Sequence, residues 1–249
     1  MSKRFEPDAE VVALLAPSGR LRASVNLGNP LLAGIDPATG EPGGISVDLA
    51  RALAGRLGVP LDTLTFPAAT KSVDAVTGGV ADVGFFAIDP LRGADIAFTD
   101  AYLLIEGAYL VRDDSPCRVN EDVDQVGTTV VVGKGSAYDL FLTRELTAAA
   151  FVRVPGAAEV VQTLLAGGAD VAGGIRQVLV EVARRTPGVR VLPGRFMVIR
   201  QAMGLARARG PDAAEALGAF VEDMKASGLV AESMARHAVA GATLAPPQD

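Results

Sequence analysis

The chain has 249 residues and a formal net charge of −6 at pH 7, and it is 49% hydrophobic and 5% aromatic. At about 150 residues per domain, this length predicts one large domain or two modest ones with a well-developed core. An acidic chain that lacks a basic run binds the phosphate backbone poorly, and few aromatic side chains are available for stacking on bases. Nucleic-acid binding is therefore not expected.

The histidine and cysteine counts exclude several kinds of chemistry. Cys117 is the only cysteine and His237 the only histidine. These counts exclude a disulfide framework, a thiolate zinc site and a His-rich metal site, and we expect no metal or cofactor. We interpret His237 as a surface residue that supports the end of the last helix through the macrodipole.

The N-terminal segment does not read as a secretory signal. Acidic residues precede the apolar run from Val11 to Ala16, which is short beside the ~7–15 apolar residues of a signal peptide. No window reaches the ~18 apolar residues of a membrane span. The sequence as written thus predicts a cytoplasmic protein, or a periplasmic one if a signal has been trimmed.

In chain order, strand and helix patterns alternate from Leu21 onward. Leu21–Asn26 has the alternation of a strand, the turn-rich stretch 36–44 predicts a loop, and Ser46 is the predicted N-cap of a helix that ends at Leu57. Further strands are predicted at 61–66, 82–88, 96–102 and 103–112, with a helix near 71–77.

After a polar break near Asp113–Asp122 the alternation resumes. Strands are predicted at 128–133, 151–154, 169–174, 189–192 and 195–206. Helices are predicted at 136–149, 157–168, 175–185, 212–228 and 230–241, and the tail 244–249 is expected to fray. Repeated strand–helix units predict an α/β fold with parallel sheets, and the break predicts two lobes, with ligands at strand carboxyl ends and between the lobes.

One glycine-containing turn lies between a predicted strand and helix. Gly133 and Gly135 occupy this turn, but Tyr138 stands where a dinucleotide-binding fingerprint needs its third glycine, so nucleotide binding is not expected. The helix start at Ser136 offers backbone amides and a hydroxyl to an anion. Alternatively, Ser136 only caps its own helix, and the two roles are compatible.

Two arginines directly follow buried strands. Arg92 either binds a carboxylate in bidentate fashion or forms a surface ion pair with Asp89 or Asp95. Arg176 follows another buried strand and is expected on the opposite side of the same crevice.

Glu106 is the one carboxylate inside an apolar strand. Such a group must be paired or functional, and we favour a functional role. No pair of carboxylates suggests acid–base catalysis, and we interpret Asp48, Asp82 and Asp170 as cap or strand-edge residues.

Six segments in this order resemble the family 3 solute-binding proteins, the venus-flytrap receptors that supply polar amino acids to ABC transporters. The segments are LRASVNLGNPLL, GGISVDLARALAGRLG, ADVGFFAIDPLRGADIAFTDAY, VVVGKGSAYD, GGADVAGG and MKASGLVAESMARH. The resemblance runs from about Gly19 to Gly241. It implies a two-lobed, type II periplasmic-binding-protein-like α/β fold with a two-strand hinge, in which 1–104 plus 203–249 form lobe 1 and 105–202 form lobe 2.

The resemblance also implies roles for single residues. Arg92 is similar to the arginine that binds the ligand's α-carboxylate, helped by the amides and hydroxyl at Ser136 and Ala137. Asn29 stands where an aromatic residue is often found. The ligand-binding residues that we expect are Asn26, Asn29, Phe86, Ala87, Asp89, Arg92, Glu106, Gly133, Ser136, Ala137, Tyr138, Ile175 and Arg176.

One departure from the family pattern concerns the ligand's ammonium group. Amino-acid binders carry an acid five residues after the aspartate that corresponds to Asp170, where this chain has Ile175. Either Glu106 or Asp89 replaces that acid, or the ligand is not a standard α-amino acid. Two arginines facing one crevice would suit a carboxylate-rich ligand.

The resemblance implies a monomeric solute-binding protein that closes around a small carboxylated solute, an amino acid or related organic acid, and works with an ABC transporter permease. Cyclohexadienyl dehydratases, which share this fold, place a general-acid glutamate at the position of Ile175. An enzyme is therefore the weaker alternative, with Glu106 as the stand-in acid. A cytosolic ligand sensor is a further alternative.

Overall fold

A computed structural model describes residues 4–247 of the chain. In chain order, its elements are α1 (Ala9–Leu15), β1 (Leu21–Asn26), β2 (Gly34–Ile35), β3 (Pro42–Gly43), α2 (Ile45–Leu57), β4 (Leu61–Phe66), α3 (Ala69–Thr77), β5 (Val83–Ala87), β6 (Ile96–Arg112), β7 (Thr129–Gly133), α4 (Ala137–Glu145), β8 (Ala150–Val154), α5 (Ala157–Leu165), β9 (Val171–Ile175), α6 (Arg176–Arg185), β10 (Val189–Val191), β11 (Met197–Ala206), α7 (Pro211–Ala226), α8 (Leu229–Arg236) and β12 (Thr243–Leu244).

The described chain forms two compact units. Unit 1 contains the described residues up to Leu104 and those from Arg200 onward, and unit 2 is the continuous segment Ile105–Ile199. The chain therefore leaves unit 1 within β6 and returns to it within β11. Strands alternate with helices in both units, so the predicted α/β fold is confirmed.

The sheet of unit 1 is mixed. Strand β1 pairs in parallel with both β4 and β5, while β11 pairs antiparallel with β5 through the register Gln201↔Ala87. The short strand β12 pairs antiparallel with β6. Because β1 and β5 are parallel, the turns that follow them leave the sheet at the same edge.

The sheet of unit 2 has a similar mixture. Strand β7 pairs in parallel with β8 and β9, and β6 pairs antiparallel with β9 and β10. The register Gly107↔Ile175 brings the middle of β6 beside the end of β9. The segment after β7 and the segment after β9 therefore start from one edge of this sheet.

Each unit has its own apolar core. In unit 1, Val76 of α3, Phe86 of β5 and Ile96 of β6 are buried in one cluster. In unit 2, Leu164 of α5 and Leu179 of α6 pack into a second cluster with the sheet. Strand β5 is buried along its whole length, as expected for a strand covered on both faces.

The predicted start of α2 at Ser46 is wrong. The N-cap is Gly44, which has a φ of 115°, and Ser46 is buried in the first turn. A side chain at position 44 would collide with the backbone of Leu32. Glycine is therefore required at the cap both for the backbone angle and for this close approach.

Leu244 and Ala245, the first residues of the predicted tail, are more ordered than predicted. Instead of fraying, Thr243–Leu244 pairs with β6, and the buried Ala245 donates its N–H to the Tyr102 carbonyl at 3.1 Å. Residues 248–249 of the predicted tail lie outside the described range. The apolar stretch predicted as two strands at 96–102 and 103–112 is the single strand β6.

Candidate functional site

Arg92 is a buried residue in the turn after β5, whose other residues are largely exposed. It begins the 3-10 turn Arg92–Ala94, the residue is 9% exposed, and its Nη1 donates to the Ala87 carbonyl at 3.2 Å. Burial lowers the pKa of Arg92, whereas the charge of nearby Asp89 raises it. Asp89 is itself 4% exposed and accepts a hydrogen bond from the Leu91 N–H at 2.9 Å. Arg92 is thus a buried cation beside a buried acid, and not a surface residue.

The two asparagines after β1 shape the turn that follows the strand. Asn26 Oδ1 accepts a hydrogen bond from the Gly28 N–H at 2.9 Å, and Asn29 Oδ1 accepts one from the Leu31 N–H at 3.2 Å. Hydrogen bonds in which an asparagine oxygen accepts the backbone N–H of the residue two positions later stabilise turns. Asn29 is buried, and Asn26 is half-buried.

Phe86 and Ala87 are adjacent but have different surroundings. The Phe86 ring packs in the unit 1 core and covers Gly84, where any side chain would collide with it. Ala87 ends β5, and its carbonyl accepts the hydrogen bond from Arg92. The Phe86 side chain therefore supports the strand from the core, whereas Ala87 belongs to the surroundings of Arg92.

The start of α4 in unit 2 is held by a network of hydrogen bonds. Ser136 is the N-cap and its Oγ accepts the Asp139 N–H at 3.1 Å, so its capping role is present. Asp139, 4% exposed, accepts the Gly135 N–H at 2.8 Å and Arg153 Nε at 2.9 Å. These bonds fix the turn in front of Ala137, the first residue of the helix. Sequence reasoning missed Asp139, although the spacing Ser-x-x-Asp at a helix start signals such a cap.

Tyr138 packs beneath the same turn. It is 8% exposed, and burial raises the pKa of its hydroxyl. A side chain at Gly133 would lie 3.2 Å from the Tyr138 hydroxyl oxygen. Gly133 therefore leaves the room that Tyr138 occupies at the end of β7.

Glu106 forms a cluster with two arginines of unit 2. Its Oε1 lies 2.6 Å from Arg195 Nη1, and its Oε2 lies 3.6 Å from Arg176 Nε. The three side chains are 33%, 55% and 32% exposed, in the order Glu106, Arg195, Arg176. Arg176 also donates to the Gly194 carbonyl. The carboxylate is ion-paired, and Ile175, at the end of β9, precedes Arg176 directly.

Arg195 is a residue that sequence reasoning missed, and its neighbour Phe196 positions it. The Phe196 N–H donates to the Gly107 carbonyl at 3.0 Å, and its ring lies 4.5 Å from that of Tyr109 and 6.1 Å from that of Phe141, between centroids. The ring covers Gly107, where a side chain would lie 2.7 Å from Phe196 Cε2. Since Arg195 and Glu106 are separated by 89 residues, no local pattern indicates this pair.

Asp48 and His237 form a separate cluster in unit 1. Asp48 Oδ2 accepts from Ser233 Oγ at 2.7 Å and from Arg236 Nη1 at 2.8 Å, and lies 2.9 Å from His237 Nε2. Burial raises the pKa of Asp48, but these partners outweigh it and the pKa lies below its usual range. His237, an exposed residue at the C-cap of α8, is therefore tied to Asp48 of α2, a structural arrangement.

Two further observations concern metals and membranes. Among residues 4–247, no three His, Cys, Asp or Glu side chains are grouped as metal ligands would be. In the same part of the chain, no helix combines the length and the apolar character needed to cross a membrane.

The family model of the bacterial extracellular solute-binding proteins, family 3, matches residues 25–239. The chain belongs to this family. The predicted family and the two-lobed, periplasmic-binding-protein-like fold class are thus confirmed. Comparison of this solute-binding protein with curated protein sequences gave no match.

Solved structures of similar fold include three informative ones. A mutant of ArgBP from T. maritima has 22% identity and a TM-score of 0.76, covering 91% of this chain and 98% of that one. An amino acid ABC transporter substrate-binding protein from Streptococcus pneumoniae bound to L-arginine has 18% identity and a TM-score of 0.75, and the match covers 94% of this chain and 99% of that one. The ancestral amino acid-binding protein AncCDT-1, a precursor of cyclohexadienyl dehydratase, has 21% identity and a TM-score of 0.74, and the match covers 90% of this chain and 98% of that one. At these identities, the similarity shows the fold that the proteins share.

Proposed function

We propose that this solute-binding protein binds a small carboxylated solute, an amino acid or related organic acid, and presents it to an ABC transporter permease. The observation that carries the proposal is Arg92, a guanidinium buried at the carboxyl end of β5. It stands where the family pattern has its carboxylate-binding arginine. A guanidinium binds a carboxylate through two parallel hydrogen bonds, which gives both affinity and orientation.

The start of α4, in unit 2, carries donors that suit a carboxylate. The first amides of a helix have no intrahelical acceptor and attract anions. Ser136 and Ala137 stand at this helix start, and the bonds of Asp139 keep the turn before them in one conformation. A fixed donor set costs little ordering entropy when a ligand binds, so we expect it to add affinity.

The other residues predicted to bind the ligand shape or surround these donors. Asn26 and Asn29 fix the turn after β1, and Ala87 and Asp89 surround the guanidinium of Arg92. Gly133 and Tyr138 shape the turn before α4, Phe86 supports β5 from the core, and Glu106, Ile175 and Arg176 lie together in unit 2.

Binding without catalysis is the function that the residues favour. Ile175 stands where the dehydratases of this fold have a general acid, and an aliphatic side chain cannot transfer a proton. The only stand-in, Glu106, is held by Arg176 and Arg195. That carboxylate is committed to these two ion pairs and is not free to face a leaving hydroxyl group.

The test is a screen for ligand-induced stabilisation against amino acids, dicarboxylates and aromatic α-keto acids, followed by calorimetry. A ligand at 100 times its Kd adds ~2.7 kcal/mol, which is a rise in Tm of roughly 5–11 °C for a chain of this size. The Arg92→Ala variant should lose this rise, and Arg92→Lys, which keeps the charge without the bidentate geometry, should retain a small part of it.

Arg20 provides the matched control for Arg92. It lies in unit 1 and its exposed guanidinium pairs with Asp62 at 2.5 Å. The Arg20→Ala variant should therefore bind the ligand as the wild type does. Unchanged ligand affinity in a folded Arg92→Ala protein would refute the proposed site.

The family is described as extracellular, and we propose that this chain also works outside the cytoplasm as a monomer. Fractionation of the producing cells and the mass in solution test these two points. Recovery of the protein with the cytosol would favour the sensor alternative.

A further inference from the structure

The turn after β5 contains two opposite charges, and both are buried. Asp89 is 4% exposed and Arg92 is 9% exposed, and the charge of Asp89 acts on the Arg92 guanidinium. Asp95, the other acid of this turn, is exposed. An acid that is removed from water must be paired or have a function. The formal charges of Asp89 and Arg92 sum to zero, and both residues belong to unit 1.

The backbone of the turn holds Asp89 in place. Asp89 Oδ1 accepts the Leu91 N–H at 2.9 Å, and the Asp89 main-chain carbonyl accepts the Gly93 N–H at 2.9 Å. An aspartate oxygen that accepts the amide two residues later fixes the orientation of its side chain. A carboxylate has about four lone-pair sites, so this one can accept a further N–H donor together with its present partners.

A solute with a carboxylate alone fits this charge pair poorly. When such a solute binds Arg92, two carboxylates lie near one guanidinium, and the local sum of formal charges becomes −1. Charges repel strongly where little water screens them, and a buried charge without a compensating partner is costly. A solute that carries an ammonium group beside its carboxylate returns the sum to zero.

An α-amino acid has this arrangement, because its ammonium group is on the carbon atom next to the carboxylate. An ammonium group has only donors and needs an acceptor. The family pattern has an acid for it at the position of Ile175, which is aliphatic in this chain. Glu106, the other acid considered for this role, is ion-paired with Arg195 and Arg176, in a cluster whose formal charges sum to +1. Such a cluster repels a cation, whereas the neutral pair of unit 1 does not.

We infer that Asp89 accepts the ammonium group of the solute while Arg92, in the same turn, binds its carboxylate. Unit 1 alone then recognises the charged end of an α-amino acid. The inference rests on the proposed function, in which Arg92 binds the carboxylate. It makes Asp89 the residue that selects amino acids over organic acids without an amine, the task that the family pattern assigns to the position of Ile175.

Calorimetry on the wild-type protein compares α-amino acids with the same molecules lacking the α-amine. The pairs are L-norvaline and pentanoate, L-glutamate and glutarate, L-phenylalanine and hydrocinnamate, and L-arginine and guanidinovalerate, together with the corresponding pair for any amino acid that the stabilisation screen identifies. In the pair that binds most tightly, the amino acid should bind roughly 10–150-fold more tightly than its amine-free partner, because it makes an additional hydrogen bond between charged groups.

Asp89→Asn should remove this preference and leave the turn intact. Asparagine keeps an oxygen that can accept the Leu91 N–H, so the variant differs mainly in charge. Its affinity for the amino acid should fall roughly 10–150-fold, and its affinity for the amine-free partner should rise, because the bound carboxylate no longer faces a like charge. Asp89→Ser, whose hydroxyl can make the same turn bond, should give the same result. Asp95→Asn is the matched control and should bind both solutes as the wild type does.

The outcomes separate the inference from the proposed function. Equal affinity for the amino acids and their amine-free partners, lost for both in Arg92→Ala, would overturn the inference alone. So would a preference for the amino acid that survives in folded Asp89→Asn and Asp89→Ser proteins. Glu106→Gln should keep the preference, and its loss in that variant would make Glu106 the ammonium acceptor. Absence of binding across the panel and the screen would overturn the proposed function, and the inference with it.

Discussion

Replacing Asp82 by asparagine should destabilise the protein much more than the same change at Asp62. The Asp82 side chain is fully buried and accepts the Arg22 N–H at 2.9 Å, Arg22 Nη2 at 2.8 Å and Arg209 Nη1 at 3.0 Å. Asp62, which lies on β4, has one exposed ion pair, with Arg20 at 2.5 Å. The two substitutions remove the same charge from opposite environments.

The magnitude follows from what remains after the substitution. Removing one partner of a buried ion pair costs ~3–5 kcal/mol, because the other charge is left uncompensated. Arg22 and Arg209 are 31% and 20% exposed, so water recovers part of this loss. We therefore expect a decrease of ~2–4 kcal/mol in the free energy of unfolding for Asp82→Asn, which lowers Tm by roughly 4–16 °C.

The effect should also depend on pH in a defined direction. Burial raises the pKa of Asp82, but hydrogen bonds from Arg22 and Arg209 outweigh burial and hold the pKa below its usual range. A carboxylate with a depressed pKa contributes stability that is complete above its unfolded pKa of ~3.9 and is lost as the pH falls further. The difference in the free energy of unfolding between wild type and Asp82→Asn should therefore narrow as the pH falls below about 4.

Urea unfolding at several pH values provides the measurement. The slope with urea concentration should stay the same in the wild type and both variants, so that the midpoints compare stabilities directly. Equal destabilisation by Asp82→Asn and Asp62→Asn would refute the reasoning. If the difference in the free energy of unfolding between wild type and Asp82→Asn stays constant down to acid pH, then Arg22 and Arg209 do not stabilise the ionised form of the Asp82 carboxylate.

Three further substitutions test other contacts. In Gly107→Ala the new methyl lies within 2.7 Å of Phe196, so calorimetry should show weaker ligand binding and thermal unfolding a loss of ~1–3 kcal/mol. Asp139→Ala removes the acceptor of the hydrogen bonds from the Gly135 N–H and from Arg153 Nε, and amide exchange at 133–137 should become faster than in wild type. His237→Gln should change the free energy of unfolding in urea by less than ~1 kcal/mol, because Asp48 keeps its bond to Ser233.

The sequence predicts helices and strands correctly where the local pattern of apolar and polar residues matches the burial of those residues in the structure. Strands β1 and β4 have the predicted bounds, because alternating side chains and flanking turn residues specify them locally. Helix α1 was not predicted, since seven residues give only two turns of pattern, although Asp8 accepts a hydrogen bond from the Val11 N–H at its start. Its one fully buried side chain, Leu15, depends on packing that the sequence does not display.

Single residues of the candidate site could be predicted from the sequence, but the contacts between them could not. Arg92 and Glu106 are conspicuous in the sequence because a charge beside or within a buried strand needs a reason. The partner Arg195 is 89 residues away from Glu106, at the start of the strand predicted at 195–206, and nothing in that pattern indicates a contact with Glu106. It reaches Glu106 only because Phe196 packs on Gly107, and tertiary packing of that kind leaves no local signal.

The continuity of unit 2 has a consequence for biosynthesis. Its residues, Ile105–Ile199, leave the ribosome as one uninterrupted stretch, whereas unit 1 lacks β11, α7 and α8 until the residues that follow unit 2 are made. Until then β5 has no antiparallel neighbour at Ala87, and an unpaired strand edge promotes association with other chains. Unit 2 is therefore free to fold during translation, whereas β5, whose Ala87 carbonyl accepts the hydrogen bond from Arg92, gains its antiparallel neighbour only after β11 has been made.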